Sequence, residues 1–183
     1  MSKQDVSPED VLNFWRAAGP DRWWTKDIAF DAEVRDRFTH VWNAARGGQL
    51  SAWQASDNGA LALVIALDQF PRNIFRNDPR AFSTDAIALE VASRAIAEGR
   101  DNRIEADLRV FVYLPFMHSE NLADQERCVE LLSQSGDAEN LKYAEVHADI
   151  IRTFGRFPHR NPILGREMKS EEAAFLESGG FAG

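Results

Sequence analysis

Apolar residues recur along this chain at three- and four-residue intervals and no stretch alternates with period two, so every regular element the pattern predicts is a helix. Ser7, Pro8, Glu9 and Asp10 read as an N-cap, a proline at the first helical position and two acids in the first turn, opening a helix with Val11, Phe14 and Trp15 inward. Gly19 and Pro20 break it, and Arg22, Trp23 and Trp24 form an aromatic loop. A second amphipathic helix is expected from Asp31 to Arg46, with Val34, Phe38, Val41, Trp42 and Ala45 on one face and Gly47 and Gly48 at its end. Asp57 is expected to cap a third, whose unbroken apolar run from Ala60 to Leu67 makes it central. That helix is predicted to end at Asp68 and Gln69, because the residue before Pro71 avoids helical geometry and the chain must turn.

Thr84 or Asp85 caps the next helix, with Leu89, Ala92, Ala95 and Ile96 on its apolar face and Gly99 as its stop. A further helix spans about Ile104 to Tyr113 and ends before Pro115, leaving Phe116 to Glu120 as an irregular turn. Ser119 is expected to cap a helix carrying Leu122, Val129 and Leu132, and Asp137 starts another with Leu141, Ala144, Ala148 and Ile151 inward. Ser170, Glu171 and Glu172 open a short last helix before a glycine-rich tail. The fold class is therefore all-α, a single domain over residues 1–183 with no linker or low-complexity tract. The starts predicted for the later helices fall about 17 to 18 residues apart, half the ~34-residue tetratricopeptide period, which favours stacked antiparallel helical hairpins.

The stretch in which candidate chemistry concentrates is Phe154 to Asn161, eight residues that hold two arginines, a histidine and an asparagine together with helix-stopping Gly155 and Pro158. A shorter copy, Phe70, Pro71, Arg72 and Asn73, follows the central helix, and the two are expected to be halves of one site. A net charge of −8 argues against a general nucleic-acid surface, and its distribution sharpens the point. Arg152 to Lys169 carries +4 and Arg72 to Arg80 carries +2, so the rest of the chain sums to −14. Basic islands on an acidic body suit a small anionic ligand better than a polyanion. The lone Cys128 excludes an internal disulfide framework and fits a reducing, cytoplasmic setting. Residues 1–10 lack the basic start and apolar run of a signal peptide, and no apolar run is long enough to span a bilayer.

Arginine offers a planar fork for carboxylate or phosphate, and a proline-fixed turn limits the entropy lost in holding it ready. Asp68, Arg72, Arg76, His147, Arg156, Arg160 and Asn161 are the candidate ligand-binding residues. His118 or His159 is the candidate proton-transfer group, with Glu120 or Asp68 to orient it. The competing reading is that Arg72, Arg156 and Arg160 pair internally with Asp68, Glu120 or Asp149 as a structural ion network. His147, His159 and Glu120 have ligand types suited to zinc or non-haem iron, but nothing in their spacing enforces convergence, and no metal site is assigned. The tryptophans, at helical spacing, read as core, Cys128 reads as packing, and no Walker or Rossmann glycine-rich loop occurs. No cofactor is specified.

These residues resemble those of domain-of-unknown-function family 924, uncharacterised bacterial proteins. The resemblance rests on Val11 to Trp15, on Asp68-Gln69-Phe70-Pro71-Arg72-Asn73 with Arg76, on Tyr113 to Glu120, on Tyr143 with His147, and on Phe154 to Asn161 with Leu164-Gly165-Arg166. It covers nearly the whole chain and implies a tetratricopeptide-like, right-handed helical superhelix. It brings no reaction, cofactor or catalytic role. Two readings of function follow. One is a small-molecule binder or enzyme that clamps an anion and moves a proton; the other is a scaffold whose stacked hairpins grip a peptide or partner protein.

Overall fold

The structure, a computed structural model, describes residues 6–183. Residues 1–5, on which part of the reading of residues 1–10 falls, lie outside the described residues. All regular elements among the described residues are helical. They are α1 (Pro8–Ala18), α2 (Pro20–Trp23), α3 (Ile28–Arg46), α4 (Asp57–Val64), α5 (Phe70–Ile74), α6 (Asp85–Ala97), α7 (Ala106–His118), α8 (Leu122–Ser135), α9 (Ala138–Phe154) and α10 (Ser170–Glu177), with short 3₁₀ turns between them. No helix among the described residues is long and apolar enough to cross a membrane.

The chain divides into two compact units. The first holds the residues up to Arg76 and Arg80–Pro115; the second holds Asn77–Pro79 and Phe116–Gly183. In the first unit α4 is buried on every side, as its apolar run requires, and packs against α1 and α6. Trp15, Phe30, Phe38, Phe70 and Phe111 fill the space around it. Trp15 meets Phe70 and Phe111 edge-on at centroid distances of 5.9 and 5.5 Å. In the second unit α8 and α9 form a hairpin closed by Gly136, whose φ of 76° lies in the left-handed region that favours glycine. A smaller core of Ile150, Ile151 and Phe157 is sealed by Leu122, Phe154, Phe175 and Phe181.

Several helix boundaries depart from the predicted ones, for local reasons. Ser56, not Asp57, caps α4 by accepting a bond from Gly59 N at 3.1 Å, which leaves Asp57 to pair with Arg100 and Arg103. Asp27 opens α3 and Asn121 caps α8, while Ser119 donates to Asp124. The turn expected at Phe70-Pro71 is absent. The chain stays helical from Asp57 to Ile74 by widening into a π turn at Ile65–Gln69, so that Pro71 falls in the first turn of α5, where a missing N–H is tolerated. Pro71 would otherwise donate to the Leu67 carbonyl four residues back. The buried Thr84 hydroxyl takes that place, donating to Leu67 O at 2.6 Å while accepting from Trp42 Nε1 at 3.2 Å. Likewise α7 does not stop before Pro115 but runs through it to His118; the apolar side chains of Phe111, Val112, Leu114 and Met117 are all buried and hold the helix across the lost bond.

Candidate functional site

Within the first unit, Asp68 lies wholly buried in the π turn and Arg72 answers it at 3.3 Å, as the unfavourable position of a carboxylate at a helix C-terminal end demands. Arg72 also grips Asp85 with two bonds of 3.0 and 3.1 Å and donates to the Asp68 carbonyl at 2.5 Å. Arg76 does not join this group. It forms a two-pronged pair with Asp31 at 2.6 and 2.7 Å, and Asn73 donates to the same carboxylate at 2.8 Å. Burial would raise the Asp31 carboxyl, but these donors outweigh it and the group stays below its usual value.

In the second unit the corner after α9 is the turn the sequence predicts. Gly155 takes a left-handed φ of 68° at the helix end, Phe157 is extended ahead of Pro158, and Pro158–Arg160 make one 3₁₀ turn. Its arginines are also occupied. Arg156 forms two parallel bonds with the buried Glu172, which further accepts from Asn161 Nδ2 at 3.0 Å and from Lys169 N at 2.8 Å. Arg156 holds the Glu172 carboxyl down to about 2. Glu120 accepts two bonds from Arg166, at 2.7 and 3.0 Å, and one from Phe157 N at 2.8 Å. Burial would raise Glu120, but these donors leave it below the usual carboxylate range. Glu120 thus serves the turn and is committed to Arg166 instead of orienting a histidine.

Two histidines of this unit, His147 and His159, gather around a phenyl ring. Phe181, from the tail, lies 4.4 Å from the ring centroid of His147 and 5.3 Å from that of His159. Phe157 lies 5.5 and 5.6 Å from the same two imidazoles. Arg160 stacks 4.5 Å over Phe157 and donates to the His118 carbonyl at 3.0 Å. His147 Nδ1 sits 2.7 Å from the Tyr143 carbonyl, which can only accept, so Nδ1 carries the hydrogen and Nε2 is left as an acceptor in the neutral ring. Nδ1 of His159 is buried and has no hydrogen-bond partner among the described residues. Burial, reinforced by the positive charge of Arg160, pushes the His147 pKa down to about 4. Burial and Arg160 do the same to His159, also to about 4. Both rings are neutral at pH 7.

Of the ten residues singled out from sequence, Asp68, Arg72 and Arg76 belong to the first unit. His118, Glu120, His147, Arg156, His159, Arg160 and Asn161 belong to the second, where His147, His159 and Arg160 surround Phe157 and Phe181 while Arg156 and Asn161 converge on Glu172. Sequence reasoning missed Asp31, Asp85, Arg166 and Glu172 as partners. Two of them carried a signal: Asp31 shares a helix face with Val34 and Phe38, and Glu172 shares one with Phe175 and Leu176, so each is an acid on an apolar stripe. No group of three or more metal-ligating side chains occurs among the described residues.

The elements define an all-helical protein with a histidine-lined aromatic core at its C-terminal corner. The chain belongs to the family described as bacterial protein of unknown function (DUF924), which matches over residues 11–180. It is similar to a protein of unknown function from Agrobacterium tumefaciens whose structure has been solved, at 46% identity over 94% of this chain and 97% of that one, with a TM-score of 0.91. No curated protein matches the chain.

Proposed function

We propose that the protein binds a small anionic molecule at the His147–His159 pair of the second unit, in the place Phe181 fills, and accepts a proton from it or from water there. The observation that carries this reading is that Phe181 occupies the space between two neutral imidazoles, one of which keeps a buried, unpartnered nitrogen. Such a nitrogen is costly to leave unbonded, and a ligand group offers it a partner. A ligand entering where the phenyl ring lies would bring its charge beside both rings, raise their affinity for protons, and find Arg160 alongside. His147 and His159 fill the proton-accepting role, with Arg160 alongside. The corner carboxylates Glu120 and Glu172 and their arginines act as the frame. A cytoplasmic setting accords with the single buried Cys128, whose thiol burial pushes up to about 12 and out of redox use.

The test is a thermal-shift screen of small organic anions on the full chain, repeated with His147→Gln and His159→Gln. This reading expects ligands whose effect disappears in either variant and whose binding takes up protons between pH 7 and 5. Hits that keep their full effect in both variants would sink it.

A second reading is favoured by Tyr143 and Val146, which stand three residues apart on α9 and are 53% and 46% exposed. Here the hairpins are of tetratricopeptide kind, the paired arginines are structural locks, and this face of α9 grips a partner peptide. Tyr143→Ala with Val146→Ser would then abolish partner capture and leave anion binding untouched.

A further inference from the structure

A second place where arginines border a recess lies in the first unit, at Arg22 and Arg37. Between α1, α2 and α3 lies a recess of about 350 Å³, within the range of small-molecule sites. Ala17 and Ala18, at the end of α1, leave the room by contributing only methyl groups. Phe14 and Phe30 form its floor, stacked within 8° of parallel at 5.6 Å. Arg37 lies 4.6 Å over Phe14 and Arg22 lies 5.6 Å over Phe30, so each ring draws a guanidinium toward the recess.

The contrast with the corners is in what occupies these forks. Arg72, Arg76, Arg156 and Arg166 each hold a carboxylate in a two-pronged grip. Among the described residues Arg22 and Arg37 share only Glu33, at 3.8 and 3.2 Å respectively, the first being beyond hydrogen-bond reach. Each guanidinium has five donors, so most of theirs are uncommitted among the described residues. Asp10 on the rim is tied into the capping box with Ser7.

We propose that this recess is a binding site for a small monocarboxylate with a compact apolar body, such as an aryl or branched aliphatic acid. The carboxylate would lie in the forks of Arg22 and Arg37 and the apolar body over Ala17, Ala18 and the phenylalanine floor. The charge of the lining selects a monoanion: two arginines face Asp10 and Glu33, so a second negative charge on the ligand, as on a phosphate, meets those acids.

Isothermal titration of the full chain with phenylacetate, benzoate and isovalerate, against phenylacetamide and inorganic phosphate, tests this. At least one acid is expected to bind saturably while the amide and phosphate do not. Arg22→Gln and Arg37→Gln, about half-exposed side chains whose loss the fold tolerates, are expected to weaken it by about tenfold each. Glu33→Gln, which removes the carboxylate competing for Arg37 and lying near Arg22, is expected to tighten it. His159→Gln is expected to leave it unchanged, which separates this site from the histidine recess. Equal binding of phenylacetate and phenylacetamide, retention of binding in the doubly substituted Arg22→Gln/Arg37→Gln chain, or no saturable binding of any acid up to about 10 mM would overturn the proposal.

Discussion

Arg156 and Glu172 meet through two parallel hydrogen bonds, Nε to Oε1 at 2.6 Å and Nη2 to Oε2 at 2.8 Å, and Glu172 is wholly shielded from solvent. The pair fastens α10 to the turn that follows α9, sixteen residues earlier in the chain. An acid in that position has left water entirely, so its stability rests on all its donors being present. Glu172→Gln removes the charge while keeping the shape, leaving Arg156 facing a neutral amide. Urea denaturation should show a loss of about 3 kcal/mol, the cost of breaking a buried pair. Glu90→Gln, which breaks the exposed Arg94–Glu90 pair, should change stability by less than about 0.5 kcal/mol. Equal effects at the two positions would show that Glu172 is not a lock.

Thr84 carries a comparable duty in the first unit. Its hydroxyl supplies the donor that Pro71 cannot, bonding Leu67 O at 2.6 Å, and it accepts from Trp42 Nε1. Thr84→Val keeps the volume but leaves a buried carbonyl and a buried indole N–H unsatisfied, which should cost about 2 kcal/mol in the same measurement. Ser at this position retains the hydroxyl and should recover most of the loss. Loss of stability in Thr84→Ser equal to that in Thr84→Val would place the effect in packing instead.

The limits of the sequence pattern show at the two prolines. Helical periodicity identified the run from Ala60 to Leu67 and its central burial, because an all-apolar stretch has nowhere else to go. The end of that helix was misread because the rule disfavouring helix before proline is a local one. A π turn and a threonine seventeen residues away override it, and neither leaves a trace in the local pattern. Pro115 misled in the same way. At the C-terminal corner Gly155 and Pro158 made the turn legible, and the density of arginines marked the region as polar and ordered. What those arginines bond was not legible, since Glu172 and the His118 carbonyl lie outside the motif and pairing depends on the path of the chain. Asp31 and Glu172 were missed although each carried a signal, an acid on an apolar face.

Both histidines in the recess affect the acid stability of the fold. Their folded values of about 4 lie below the ordinary value of 6.5, so between these limits the unfolded chain binds more protons than the folded one. Stability should therefore be fully present above pH 6.5 and fall as the pH drops through about 4, by on the order of 1–3 kcal/mol. The carboxylates contribute a separate limb at lower pH, since Glu172 at about 2 loses its advantage only as the pH falls below 4.5. Thermal melts between pH 7 and 4 should show the first limb in the parent chain and a flatter one in His147→Phe. A slope unchanged by that substitution would place the acid sensitivity in other groups.

Phe181 should control how these histidines titrate. Its ring lies against both imidazoles, and desolvation is the leading cause of their depressed values. Removing the ring in Phe181→Ala admits water, and water favours the charged form of each imidazole. Both pKa values should rise from about 4 toward 6.5. His147 keeps the Tyr143 carbonyl as acceptor for Nδ1–H, a bond that favours the protonated ring and is independent of Phe181. Nuclear magnetic resonance titration of the imidazole Cε1 protons separates the two residues directly. Substitution by leucine, which refills the space without an aromatic ring, should restore most of the depression if excluded water is the cause. If leucine fails and tryptophan succeeds, ring stacking and not dehydration holds the imidazoles neutral, and a ligand taking this position would have to be aromatic.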